Sequence, residues 1–220
     1  MKTLRPLTSA EFSDHFEDKS WTLSYSPENG GAWKSFHDYY PNHMRSTRNE
    51  VFSFKDSKVY LHNMAGSFAQ FYDAEIFPTL IDAVFNEGTQ ATKVFQSVNW
   101  ISEIINDKGV SLFDKTLTTI LCYNSYQCSG EIDLVALENV RNVDGTWNFN
   151  AMRDLIDDRT LPFLNEKLEL ISNNISTDKP WYKQRRMTDK YLIVRLLLDN
   201  IGQNTLYLYE TGTKFRLSAR

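Results

Sequence analysis

The run Tyr191–Leu198 places Leu192, Val194, Leu196 and Leu198 two residues apart. Only an extended strand brings such positions to one face, so this run commits the chain to a sheet with a buried side. Asp199 to Asn204 supplies a turn, and Thr205–Glu210 returns with Leu206 and Leu208 inward. The pattern predicts a buried C-terminal hairpin, followed by Lys214–Arg220 as a basic surface arm.

The same period recurs upstream. Trp21, Leu23 and Tyr25 alternate with Thr22 and Ser24. The turn Ser26–Gly31 leads into Ala32–His37, and Val51–Lys55 joins Lys58–His62 tightly through Asp56-Ser57. Trp21 to His62 is therefore expected to form four short strands, a propeller-blade-like unit with no second copy in the chain. Such a unit must bury a face against the rest of the chain or a neighbour. Phe68–Tyr72, Thr79–Phe85 and Lys93–Ile105 read as further strands. In the last, Val94, Gln96, Val98 and Trp100 line one side and Phe95, Ser97 and Asn99 the other. Lys115–Leu137 is rich in β-branched residues and reads as a hairpin turning near Asn124-Ser125.

Helical signals are few. Thr8-Ser9-Ala10-Glu11 has capping-box spacing, with Leu7 and Phe12 placed as a hydrophobic staple, predicting a short helix over Ser9–Glu17. Met152, Leu155 and Ile156 share a helical face, with Pro162 ending or kinking the run, so Asn150–Asn174 is the main helical candidate. The expected fold is mainly β with a minor α+β character: antiparallel meanders and hairpins, the four-stranded unit and few short helices. Two regions are expected, 1–90 with the short leading helix and 91–220 with a helical insert near 150–172.

Composition narrows the function classes. A net charge of −4 gives no electrostatic footprint for nucleic acid. No apolar run approaches a membrane span, and Met1–Pro6 is not followed by the apolar stretch of a signal peptide, so synthesis in the cytosol is expected. Aromatic residues make up 14% of the chain, a bias that suits pleated sheets and protein interfaces. Two cysteines are too few for a disulfide scaffold. A two-residue turn at Asn124-Ser125 would set Cys122 against Gln127 and Cys128 against Leu121, with the sulfurs diagonal. A three-residue loop would set Cys122 opposite Cys128. Two free thiols are expected.

Motifs for chemistry are sparse. His37 and His43 lie six apart, His15 and His62 stand elsewhere, and neither cysteine has a CxxC partner, which disfavours a metal site. There is no GxSxG elbow and no Gly-rich phosphate loop. Asp154, Asp157, Asp158, Glu166 and Glu169 could furnish glycosidase-type carboxylate pairs, but acids in this setting read as solvated surface. Trp181-Tyr182-Lys183-Gln184-Arg185-Arg186 mixes aromatics with cations and reads as a solvated edge or subunit contact rather than a nucleic-acid platform. No cofactor and no enzymatic activity are expected.

Several strings carry a resemblance. They begin with Lys19–Pro27, Trp33–Asn42 and Leu61-His62-Asn63, and continue with Gly145–Asn150 and Arg153-Asp154. Trp181-Tyr182, Arg185-Arg186, Asp189-Lys190-Tyr191, Val194-Arg195-Leu196 and Lys214–Arg220 complete the set. In this order the chain from about Lys19 onward resembles the C-terminal region of the muzzle, or tail stabilization, proteins of crAss-like bacteriophages. That family's members are longer, with this pattern at their C-terminal end. The resemblance implies a virion structural protein at the tail end of a short-tailed phage, assembled in the bacterial host cytoplasm as a ring of copies around the DNA exit path. Its implied partners are copies of itself and other tail proteins, with at most transient passage of DNA, and neither a small-molecule substrate nor a membrane. Trp21, Trp33, Phe36, Tyr39 and Tyr40 are the candidate packing residues, joined by Trp181, Tyr182, Arg185 and Arg186. The alternative is a carbohydrate- or receptor-binding β-module of a phage tail, with exposed Trp and Tyr stacking on sugar rings. A tail-associated glycan hydrolase stands third.

Overall fold

The computed structural model describes residues 22–28, 31–37, 39–62, 69–72, 75–136, 140–165, 169–171, 174–176, 178–199 and 204–218. The regular structure among them is almost entirely antiparallel β, as the alternation requires. Trp21 and the expected helix at Ser9–Glu17 lie outside the described residues. The chain divides into two compact units, 1–64 with 71–73, and 65–70 with 74–220. Thr79–Phe85, expected with the N-terminal region, thus belongs to the second.

In the first unit, β1 (Thr22–Ser26) pairs with β2 (Ala32–His37), with a bulge between Ser24 and Tyr25. β3 (His43–Ser46), β4 (Val51–Lys55) and β5 (Lys58–Leu61) form a separate sheet in that order. The single four-stranded unit is therefore replaced by a pair and a triplet. β3 carries no strand signal in the sequence because its four residues are all exposed and show no apolar alternation. Asp56 and Ser57 both take positive φ, 49° and 66°, the primed turn whose twist matches a two-residue hairpin. Of the expected strand Phe68–Tyr72, Phe68 lies outside the described residues, and among those described β6 (Gln70–Phe71) forms, with β7 (Glu75–Ile76) following.

The second unit is a sandwich. Beyond β7, its strands are β8 (Thr79–Phe85), β9 (Lys93–Ile105), β10 (Thr119–Tyr123), β11 (Cys128–Asp133), β12 (Val140–Val143), β13 (Thr146–Phe149), β14 (Arg153–Asp154), β15 (Arg185–Arg186), β16 (Thr188–Asp189), β17 (Leu192–Leu198) and β18 (Thr205–Leu217). One sheet runs β11-β10-β17-β8. In the other, β9 pairs with β13 and β16 along one edge and with β18 along the opposite edge. Ile120, Cys122, Leu192, Val194 and Leu196 from the first sheet meet Phe95, Val98, Trp100, Trp147 and Phe149 from the second in one core. Trp100 satisfies its buried indole N–H by donating to Thr116 Oγ1 at 2.8 Å.

Four expectations are corrected here. β17 and β18 do not form a hairpin: β17 inserts between β10 and β8, while β18 crosses to the opposite sheet and pairs with β9. Their apolar residues still share one core, because the alternation specified a buried face and left the partner strand open. Residues 214–217 are no free arm but the end of β18, in register with β9 as far as Leu217 opposite Lys93. The inner face of β9 is Phe95, Val98, Trp100 and Ile104, because an irregularity at Gln96, where Ser97 pairs with Lys214 and Phe95 with Phe215, shifts the alternation by one.

The fourth correction concerns 150–174, where the described residues contain no α-helix. β14 pairs with β15, and bridges join Ile156 to Ile175 and Leu164 to Leu170. Side chains have captured the backbone groups a helix would use. Asp154 Oδ1 accepts from Ile156 N at 3.2 Å, and Asn174 accepts from Asp158 N at 3.0 Å while donating to Leu161 O at 3.0 Å. Gly130 lets this segment approach β11, since it has a φ of +68° and an added Cβ would lie 3.0 Å from Ile175.

The hairpin between β10 and β11 turns through neither of the short loops considered. Tyr123 pairs with Cys128, so the loop is Asn124 to Gln127, organised by Asn124 Oδ1 accepting from Tyr126 N and Gln127 N. Both cysteines are free and buried. Burial pushes the Cys122 thiol far above its ordinary value and that of Cys128 up to about 11. A thiol reagent at neutral pH should therefore leave the native protein unmodified and titrate two thiols once it is unfolded; fast native labelling would contradict the packing. Replacing Leu196, which is fully buried at the centre of the core, by Ala should cost about 2–5 kcal/mol in denaturant melts, and a loss below about 1 kcal/mol would contradict its placement.

Candidate interaction surfaces

The aromatic residues proposed from sequence separate into different environments. Tyr39 is half-buried and stacks on Phe71, ring centroids 3.9 Å apart, with Tyr72 edge-on at 6.0 Å and His37 and His62 tilted alongside. Thr22 Oγ1 donates to its carbonyl at 2.7 Å. Tyr39 thus packs inside its own unit. Tyr40 is exposed, with Lys55 Nζ 4.1 Å from its ring centroid, a cation–π contact. Trp33 and Phe36 contribute backbone to β2, and Trp181 to a 3-10 turn, Trp181–Lys183. Phe71 and Tyr72, which complete the cluster, were visible in the sequence only as part of an expected strand.

Beneath this cluster runs a hydrogen-bonded chain. Tyr72 donates to the fully buried Ser53 Oγ at 3.1 Å, and Ser53 Oγ lies 2.7 Å from His62 Nε2. A buried hydroxyl proton needs an acceptor, and neutral His62 supplies one. Burial lowers the His62 pKa below its ordinary value, in agreement with that neutral role.

A second group assembles around the β14–β15 ribbon. Asp154 is buried and accepts from Arg159 NH2 at 2.6 Å, fixing that guanidinium at the rim of a cleft of about 550 Å³. Lys179, whose Nζ donates to Ile156 O at 2.7 Å, Asp157, Lys183 and Arg185 also line it. Tyr182, 69% exposed, stands at its mouth. Arg186 alternates to the other face of the ribbon, directly opposite Arg153. Burial first, and the Arg186 charge second, hold the Arg153 guanidinium below the usual arginine range. Of the cluster read from sequence, Tyr182, Lys183 and Arg185 come together; Arg159 and Lys179 join them from segments with no local motif.

A second depression, about 500 Å³, adjoins the first through shared Ile156 and Arg159 and is walled by Tyr126, Leu161, Phe163 and Leu164. Of the acids considered as carboxylate pairs, Asp154 is tied to Arg159. Asp158 is held below the ordinary carboxylate range by its hydrogen bonds from Thr160. Among the described residues no group of three His, Cys, Asp or Glu side chains converges to hold a metal ion.

Residues 66–154 match the family model described as the Crassvirus muzzle protein C-terminal domain, which supports the resemblance read from the sequence. The comparison with curated proteins finds no match. The matched span reaches from before β8 to β14 and stops short of β17, although β17 lies between β8 and β10 in the sheet. The folded unit therefore extends physically beyond the matched residues.

The His62 environment gives a pH expectation. Its folded pKa lies below the unfolded value of about 6.5, so its contribution to stability is complete above that value and is lost as pH falls through the depressed folded pKa. Denaturant melts should show the first unit weakening below about pH 6.5, with the slope reduced in His62→Gln. An unchanged slope in that variant would contradict the neutral, partly buried role.

Proposed function

We propose that the chain is a non-enzymatic structural component of a crAss-like phage tail, placed at the DNA exit end and working as one of several copies assembled in the host cytoplasm. The match of residues 66–154 to a muzzle protein domain carries this reading. Two features of the second unit support it. Leu80 and Val84, 49% and 62% exposed, point away from the core on β8, and among the described residues the thirteen-residue β18 pairs on one side only, with β9. Exposed apolar residues and unpaired strand edges are surfaces that assemblies cover. The mild net acidity of −4 suits a component that DNA passes without sticking.

The test combines composition and mass. Mass spectrometry of purified virions should find the protein, and light scattering of the concentrated chain should give a mass above the monomer. A strict monomer that is also missing from virions would contradict the proposal.

A further inference from the structure

The paired depression on the second unit has a charge opposite to that of the chain carrying it. Arg159, Lys179, Lys183 and Arg185 face Asp154 and Asp157, an excess of two positive charges on a protein of net charge −4. Asp154 is already used, since it is buried and binds Arg159. Among the described residues neither Lys183 nor Arg185 has a carboxylate within ion-pair distance, and both side chains are exposed. Next to this cationic half, and sharing Ile156 and Arg159 with it, the second depression offers a largely apolar wall of Leu161, Phe163 and Leu164.

We propose that the two depressions form a docking site for an acidic peptide segment of a neighbouring protein. One Asp or Glu carboxylate would sit against Lys183 and Arg185, and an adjacent apolar side chain would enter beside Leu161 and Phe163. The juxtaposition selects this ligand class. Arginine and lysine in an open cleft provide charge-assisted hydrogen bonds to a carboxylate. The apolar wall matches a hydrophobic side chain next to it, the combination by which cation clusters recognise acidic motifs. A nucleic-acid backbone would need a continuous basic track, whereas this cleft holds two carboxylates and the chain is acidic. The second depression also carries the hydroxyls of Ser125, Tyr126 and Thr160, so a saccharide is the competing ligand that the test includes. The inference rests on the structural-component reading only for the source of the peptide, a neighbouring tail protein; the site itself belongs to the isolated chain.

The test is fluorescence anisotropy on the full chain. The probe is a labelled peptide in which Asp-Glu is flanked by Leu and Phe, compared with its Asn-Gln isostere. The acidic peptide should bind, and added salt should weaken it. The double variant Lys183→Glu/Arg185→Glu should weaken it at least about tenfold. Leu161→Ser, at an exposed position, should weaken the acidic peptide while leaving the salt dependence in place. Circular dichroism melts of both variants, expected to match the parent, separate lost binding from lost folding. The proposal is overturned if the acidic peptide fails to bind, if the isostere binds equally, or if the charge-reversed variant binds as well as the parent. It is also overturned if a glucuronate oligosaccharide or single-stranded DNA binds more tightly than the peptide. Because the readout uses the isolated chain, its failure leaves the presence of the protein in virions a separate question.

Discussion

The second unit depends on the burial of one face of β17. Leu192, Val194, Leu196 and Leu198 are almost fully withdrawn from water, and each such side chain contributes on the order of 1.5–3 kcal/mol from burial. The same strand supplies the hydrogen-bonding edges that both neighbours need. It pairs with β10 from Tyr123 to Thr119 and with β8 along its whole length, and among the described residues β8 has no other sheet partner. On the outer face Arg195 grips Asp82 of β8 through Nε and NH2 at 2.8 and 2.7 Å, a two-pronged carboxylate contact across the same strand pair. Without β17, β8 would be detached and β10 would expose an edge over an uncovered core.

That dependence bears on what the muzzle-domain match means physically. Residues 66–154 supply β8 to β14, which includes both long-range layers but not the strand that joins β8 to β10. The strand that completes the sheet, and β18 that covers the far edge of β9, come from sequence after the matched span. Sequence similarity and folding cooperativity therefore have different boundaries here. The cationic cleft straddles the matched boundary, since Asp154 belongs to β14 while Arg159, Lys179, Lys183 and Arg185 follow it.

Alternation revealed faces more readily than partners. The bounds of β9 and the buried set on β17 were legible because period-two patterning is local. The pairing of β17 with β8 and β10 was not, because nothing in Leu192–Leu198 encodes which distant strand lies beside it. A tight hairpin to Thr205–Glu210 was the nearest solution, and topology overrode it. The irregularity at Gln96 inverted half of β9 without any Gly or Pro to announce it. At 150–174, apolar residues at helical spacing misled because Asp154 and Asn174 redirect the backbone hydrogen bonds. The candidate surfaces divided in the same way. Tyr182 and Arg185 were legible as neighbours in sequence, whereas Arg159 and Lys179 reach the cleft only through the fold. Tyr39 turned inward because Phe71 and Tyr72 come back to meet it.

The central claim is that β17 locks the second unit into one cooperative sandwich, and residue-resolved hydrogen exchange of the intact chain tests it most directly. The account predicts that the amides of Leu192–Leu198 exchange as slowly as those of β9 and β10, through a common global opening. Fast exchange across β17 while β8 and β10 remain protected would contradict it.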